Sequence, residues 1–360
     1  MSVGRGHGAK IADPCGRRQR GRPSAATLCR VEIVTWAELV HRCGGRAAAR
    51  RCLQDGDWKR VSRDAYVRRE VVVDERCRVQ ALRRVLPEDV AVAGRTALWL
   101  LGLDVLGARL DVLVPRGRHL ADRPGLRTRS ALLPDSELCV VEGMLVVSAA
   151  RAVVDVLREE PFVEAVVVGD AVLRSGAAVY GQVQESAARA GGLRGVQRAR
   201  AAVPHLNGRS ESPMETRLRL HLVAGGLTGL RVQHDLYGEA GHVGRGDLWV
   251  KGVVIEYDGL ELRRERPVFV RDRRRQTDIA ELGVELRRYT SADVYGRSPG
   301  DLVAEVHRAQ ELARGRPWRV LTGPDTLRAP RLRPLPTLAE RVGRALPPTT
   351  FAPYPQRSTG

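Results

Sequence analysis

Two runs rich in β-forming residues, Arg245–Val250 and Val253–Tyr257, flank Lys251-Gly252. The pattern predicts a β-hairpin with a two-residue turn, in which Gly252 supplies the positive φ such a turn requires. With Lys251-Gly252 at the turn, Val250 faces Val253. Counting back along the ladder then sets Asp247 opposite Glu256 and Arg245 opposite Asp258. Upstream, Ser212-Pro213-Met214-Glu215 carries the marks of a helix start: an N-cap serine, a first-turn proline and an acid at capping-box spacing. Leu218, Leu220, Leu222 and Val223 follow as an apolar stripe. Downstream, Gln276 begins an apolar pattern through Ile279, Leu282 and Val284, predicting a helix over Arg273–Glu281 closed by Gly283 and a strand over Val284–Thr290.

The N-terminal third reads as helix, glycine turn, basic helix and basic hairpin. Thr35-Trp36-Ala37-Glu38 has capping-box spacing and opens a short helix with Leu39 and Val40 inward. Gly44-Gly45 breaks it, and a second helix over Arg46–Leu53 carries Arg46, Arg50 and Arg51. A strand pair then starts at Trp58, turns near Ser62–Asp64 and carries Lys59, Arg60 and Arg63. That order is the order of a winged helix-turn-helix, whose second helix enters a DNA groove while the hairpin follows phosphates. A small structural helical hairpin with surface arginines remains the competing reading. Further on, Gly94–Leu103 is predicted helical and Arg109–Pro115 extended. Arg151 and Asp155, four residues apart, are set to form an ion pair on one helix face.

Composition narrows the partners. The chain has 360 residues, enough for two or three domains, and its 43% hydrophobic content supports real cores. Its formal net charge of +18 points to nucleic acid or another anionic surface. Lys occurs only at positions 10, 59 and 251. Such a bias exchanges Lys for Arg without removing acids, so the excess survives it. Aromatic residues make up 4%, too few for a platform that stacks single-stranded bases. Cys15, Cys29, Cys43, Cys52, Cys77 and Cys139 show no metal-binding spacing and read as isolated reduced thiols of a cytoplasmic protein. No apolar run is long enough to span a bilayer, and no signal-peptide core is visible. The expected division is a disordered basic tail over 1–27, a winged helix over 28–70, an α/β region over 71–207, a second α/β domain over 208–314, and a Pro/Arg-rich tail over 315–360.

Facing carboxylates carry the chemistry. Cross-strand partners have Cβ atoms about 5 Å apart. Asp247 and Glu256 so placed repel each other unless a proton or a divalent cation lies between them. They read as half of a metal site, for which Glu215 is the candidate third ligand. Glu215 could equally serve only as a helix cap, and Arg245–Asp258 only as a cross-strand ion pair.

Ser-Pro-Met-Glu215-Thr-Arg-Leu-Arg, Arg245-Gly-Asp247, Ile255-Glu256-Tyr257-Asp258-Gly259, Arg271-Asp-Arg-Arg274-Arg275-Gln276 and Leu286-Arg-Arg288-Tyr-Thr-Ser-Ala-Asp293-Val294 follow one another in order. This series resembles the endonuclease-like domain related to very-short-patch-repair nucleases, a branch of the PD-(D/E)XK superfamily. The resemblance covers residues 211–313. It implies an α/β core with a mixed four-stranded sheet between helices, and a Mg²⁺ site of Glu215, Asp247 and Glu256. Asp258 takes the place of the superfamily's usual lysine, and is counted with these three as catalytic. The resemblance also implies phosphate contacts from Arg245, Arg271, Arg274, Arg275 and Arg288. Leu262 stands where relatives carry a histidine, for which His242 could substitute in space or else be only a loop residue. Residues 30–205 resemble AbiEi-type antitoxins of type IV toxin–antitoxin systems. Together the resemblances imply a Mg²⁺-dependent, DNA-cleaving protein, with DNA favoured over RNA. The alternative is a non-catalytic antitoxin-type regulator with a toxin partner, and either form is compatible with a homodimer.

Overall fold

Thr35 starts helix α1 (Trp36–Arg42) with the reciprocal bonds its spacing to Glu38 predicts: the Glu38 carboxylate accepts from Thr35 N at 2.7 Å, and Thr35 Oγ1 accepts from Glu38 N at 3.3 Å. The computed structural model describes residues 31–120, 125–132, 134–239, 241–259 and 276–316. Residues 1–27 and most of 315–360, expected to be tails, lie outside these. The described chain is a mixed α and β structure with helices and three sheets.

Gly45, at φ 147°, sets the corner from which α2 (Arg46–Gln54) begins. The ribbon of β1 (Trp58–Ser62) and β2 (Ala65–Arg68) is antiparallel and turns through Asp64, a non-glycine residue at φ 68°. Asp64 tolerates this because its side chain is used: Oδ1 accepts from Trp36 N at 2.9 Å, tying the ribbon tip to the start of α1. Val34 bridges Tyr66 on the other edge of β2. One side of the ribbon packs Val34, Leu39, Ala49, Trp58 and Tyr66. The opposite side packs Ile33, Ala65 and Val67 against Cys77 and Ala81 of α3 (Glu75–Val85).

A five-stranded sheet follows, ordered β5-β4-β3-β7-β6. Its members are β3 (Ala91–Val92), β4 (Leu110–Pro115), β5 (Leu126–Ala131), β6 (Leu138–Val141) and β7 (Met144–Val147), with α4 (Gly94–Leu100) between β3 and β4. The helix expected to reach Leu103 stops at Leu100. Gly102 adopts φ 94° and the Leu103 N–H returns to Leu98 O, a helix-ending motif that only glycine enters without strain. Helix α5 (Ala149–Glu159) is buried almost all round, including Arg151, Asp155 and Arg158. These charges are tolerated because they pair: Arg151 meets Asp155 at 3.3 Å, as the spacing predicts, and Glu137 at 2.7 Å.

Next come α6 (Phe162–Ser175), α7 (Tyr180–Arg189), α8 (Val196–Ala202) and α9 (Pro213–Ala224). A second sheet, ordered β11-β10-β9-β8, is built from β8 (Arg231–Gly238), β9 (Gly241–Val250), β10 (Val253–Tyr257) and β11 (Glu285–Tyr289). β8, β9 and β10 are antiparallel neighbours and β10 pairs with β11 in parallel, so this is the mixed four-stranded sheet expected. Helical residues 276–281 (α10) precede β11; α11 (Ser291–Gly296) and α12 (Pro299–Arg314) follow it. Leu248, Val250, Val253 and Ile255 pack against Leu218 and Leu222 of α9 and Leu302 and Val306 of α12. Trp249 and Val254, on the opposite side by alternation, pack against Ile279 of α10. Helices therefore cover both faces.

The chain divides differently from the expected break at 207/208. One compact unit runs to Glu159 and takes up Ser175–Ala199; the other holds Glu160–Arg174 and continues from Arg200. Burial joins α6 to the C-terminal unit. Asp170 of α6 binds Arg219 of α9 at 2.7 Å and Thr216 Oγ1 at 2.8 Å, and accepts from Asn207 N at 2.6 Å. Gly169 lies so close to Leu206 that a Cβ would come within 2.3 Å of it. No described helix is long and apolar enough to cross a membrane. Cys43, Cys52 and Cys77 are free thiols, whereas Cys139 is disulfide-bonded, against the expectation of isolated thiols.

Candidate functional site

The hairpin between β9 and β10 has the predicted register: Val253 faces Val250, Val254 faces Trp249 and Ile255 faces Leu248. Lys251 (φ 42°) and Gly252 (φ 82°) form its turn with both central residues left-handed, the geometry that matches strand twist. Beyond Leu248 the ladder gives way to a side chain. Asp247 Oδ2 accepts the Tyr257 N–H at 2.8 Å in place of a strand carbonyl. This brings Asp247 beside Glu256, the neighbour that the register anticipates, where the strands part.

A cleft of about 300 Å³ opens there, walled by Glu211, Gln233, Arg245, Asp247, Glu256 and Tyr257. Asp247 is pushed from its ordinary value near 3.8 up to about 6, first by burial and then by the negative charges of Glu215 and Glu256, against the pull of the Tyr257 and Gln233 hydrogen bonds. Glu256 is 7% exposed and meets Arg288 Nε at 3.2 Å across the parallel register. Arg288, expected at phosphate, is thus a partner of the acid.

Glu215 enters from the start of α9. Ser212 caps that helix as predicted, its Oγ accepting from Glu215 N at 3.1 Å. The reciprocal half differs from a capping box, because Glu215 Oε2 accepts from Glu211 N, at 2.7 Å, rather than from the cap residue. The same oxygen accepts from Gln233 Nε2 at 2.9 Å, and Nε2 also lies 3.3 Å from Asp247 Oδ1. An amide therefore stands between two of the three acids. Among the described residues no group of three His, Cys, Asp or Glu is already placed to hold a metal ion.

Gln233 escaped the sequence analysis. It is 5% exposed, at φ 51°, and its carbonyl accepts from Arg209 Nη2 at 3.1 Å. A lone amide in a strand bounded by Leu230, Val232 and Leu236 was the available signal. Arg245 also departs from expectation. The β9–β10 ladder closes before it could face Asp258; Arg245 is in register with Asp235 and ion-pairs with Glu211, while the Asp258 N–H goes to Tyr289 O at 2.7 Å. His242 is no stand-in for the family histidine at this cleft, since it bonds Asp235 at 3.4 Å and lies edge-on to Tyr237. Leu262, Arg271, Arg274 and Arg275 lie outside the described residues.

In the other unit, Arg46, Arg50 and Arg51 project from α2 and Arg60 and Arg63 from the ribbon, all exposed, with Lys59 half-buried beside them. None of the six forms an ion pair among the described residues. Their neighbours Arg42 and Arg84 do, with Glu32 at 2.6 Å and Glu38 at 2.5 Å respectively. Arg68 lies 4.4 Å over the Trp58 ring, which props the ribbon's outer face.

The chain thus joins an α+β unit that carries a basic helix–ribbon surface to an α+β unit with an acidic cleft at the end of its mixed sheet. It is 30% identical over 241 residues to two proteins of Mycobacterium tuberculosis, "Uncharacterized protein MT2308" of strain CDC 1551 / Oshkosh and "Uncharacterized protein Rv2248" of strain H37Rv, across 65% of this chain and 88% of each relative. The chain belongs to the family of these mycobacterial proteins. No family model matches it. The crystal structure of the RV2827C protein from Mycobacterium tuberculosis is similar over 52% of this chain and 75% of that one, at 16% identity and a TM-score of 0.36, a likeness too loose to build on.

Proposed function

We propose that the C-terminal unit is a Mg²⁺-dependent phosphodiester hydrolase of PD-(D/E)XK type, acting on DNA that the basic helix and ribbon of the N-terminal unit bind. The observation that carries this reading is the cleft itself. Asp247 and Glu256 both line it, and burial, followed by the negative charges of Glu215 and Glu256, raises Asp247 to about 6. The donor set fits Mg²⁺, which is typically held by one or two carboxylates and completes its shell with water and substrate phosphate. Asp247 and Glu256 would hold it, and Glu215 acts as an orienting acid behind them. When bound, the cation supplies charge for the phosphate and a more acidic water. Asp258, two residues beyond Glu256, belongs to the same proposed catalytic group. Arg245 at the cleft wall would hold a phosphate once released from Glu211, the resemblance adds Arg271, Arg274 and Arg275 to this role, and Arg288 serves instead as the partner of Glu256.

The winged-helix reading rests on six basic residues without acidic partners among the described residues, a surface left open to phosphates. A cytoplasmic location and self-association to read paired half-sites accompany this reading. One observation favours a second reading, a non-catalytic antitoxin-type regulator acting with a toxin partner: Leu262 replaces the histidine of the resembling nucleases. Incubating the purified chain with duplex DNA and Mg²⁺, beside Asp247→Ala, separates the two. Cleavage by the parent alone supports the hydrolase. Equal or absent cleavage defeats it, and salt-sensitive binding without cleavage favours the regulator.

A further inference from the structure

Gln233 is buried, left-handed in a strand where glycine or asparagine would be expected, and anchored on both sides. Its backbone carbonyl is held by Arg209, and its flanking residues are fixed in the β8–β9 ladder by Val232 facing Leu248 and His234 facing Gly246. A non-glycine residue at positive φ within a strand persists only where its surroundings impose it. What this conformation achieves is the aim of the side chain. Nε2 reaches Glu215 Oε2 at 2.9 Å and Asp247 Oδ1 at 3.3 Å. Two carboxylates accept and cannot donate when ionised, so the amide must present its nitrogen, and its end-for-end orientation is settled by its partners. Glu215 is itself fixed by the Glu211 N–H at 2.7 Å. The result is a fixed acid, a bridging amide and a cleft acid in series.

We propose that Gln233 is a positioning residue of the cation site: it orients the Asp247 carboxylate by donating to Oδ1, with Glu215 as its anchor rather than as a ligand. The inference rests on the hydrolase reading of the cleft. A carboxylate that must meet a cation works best when its rotamer is fixed by a donor behind it, and loss of such a donor typically lowers metal affinity 10- to 100-fold. The Tyr257 N–H fixes one oxygen of Asp247, and Gln233 fixes the other.

The test is Mn²⁺ binding to the full chain, measured by titration calorimetry and by electron paramagnetic resonance, with urea midpoints recorded in parallel. Asp247→Asn loses binding if the cleft holds the cation. Gln233→Met keeps length and removes the donor, and should weaken binding by about tenfold or more. Glu215→Gln keeps a carbonyl oxygen for the amide to reach, and should weaken binding by no more than about threefold, on the order expected for a retained hydrogen bond. If Gln233→Met does not fold, Gln233→Asn, which keeps an amide but is one methylene too short to span both acids, is held to the same tenfold criterion. Unchanged affinity in the donor-deficient variant overturns the positioning role while leaving the cation site intact. A Glu215→Gln loss as large as that of Asp247→Asn makes Glu215 a ligand and overturns its role as anchor. Absence of Mn²⁺ binding to the parent chain overturns the cation reading, and this inference with it.

Discussion

Asp247→Asn should stabilise the metal-free protein while destroying its proposed activity. Asp247 is raised from near 3.8 to about 6, chiefly by burial and then by Glu215 and Glu256. A carboxyl raised on folding binds more protons in the folded than in the unfolded state across that interval. Its contribution to stability is therefore fully present below its unfolded value near 3.8, and is lost as pH rises through about 6. The rise from near 3.8 to about 6 corresponds to at most about 3 kcal/mol. Asp247 keeps some exposed surface at the cleft, so screening reduces this to about 1–2 kcal/mol. Asn has nearly the same shape and keeps an oxygen for the Tyr257 N–H, while its NH2 gives up the long 3.3 Å bond from Gln233, a loss included in the lower end of that range. The assay is urea unfolding in EDTA from pH 4 to pH 8. The variant should be more stable by about 1–2 kcal/mol at pH 8, with the gain vanishing toward pH 4. A variant that is less stable than the parent at pH 8, or a difference that does not change with pH, would refute the electrostatic account of this cleft.

Other expectations follow from the same contacts. Replacing Arg46, Arg50 and Arg51 together by Ala should leave the thermal midpoint nearly unchanged, since these exposed groups have no ion-pair partners among the described residues. DNA affinity should fall, with the slope of log affinity against log salt shallower by about 2–3, as measured by fluorescence anisotropy. Asp170→Ala should destabilise by about 3–5 kcal/mol in denaturant unfolding, because it leaves Arg219 charged, buried and without its carboxylate. Gly252→Ala should cost about 1 kcal/mol or more by the same measurement, since the turn requires φ 82° there. A null effect at Gly252 would count against the left-handed turn, and hence against the register that brings Asp247 to Glu256.

Much of the hairpin was legible in sequence because its information is local. Lys251-Gly252 fixes the turn, the turn fixes the register, and the period of two carries the register outward to Asp247 and Glu256. Helix starts at Thr35 and Ser212 were legible for the same reason: a cap and its acid lie three residues apart. The mixed sheet and its helices on both faces were anticipated from the resemblance to the endonuclease-like domain, not from the apolar pattern alone. Other features depended on residues far apart in the chain. Asp170 and Arg219 are 49 positions apart, and contacts of this kind, made in the core, draw α6 into the C-terminal unit. The ladder was expected to continue to Arg245, but the Asp247 side chain captured the Tyr257 N–H and ended it, a competition between side chain and carbonyl that no spacing encodes. Gln233 is the sharpest case. Its sequence shows a single amide in a strand of mixed polar and apolar residues, Arg231–Gly238, whereas its place between Glu215 and Asp247 arises from a left-handed backbone held by Arg209 and the ladder on either side. The sequence by itself determined which acids are available and which of them share a hairpin, because turn geometry and strand periodicity are local rules. Tertiary packing alone decided which groups stand between those acids, because that depends on burial and on hydrogen-bond competition among distant segments.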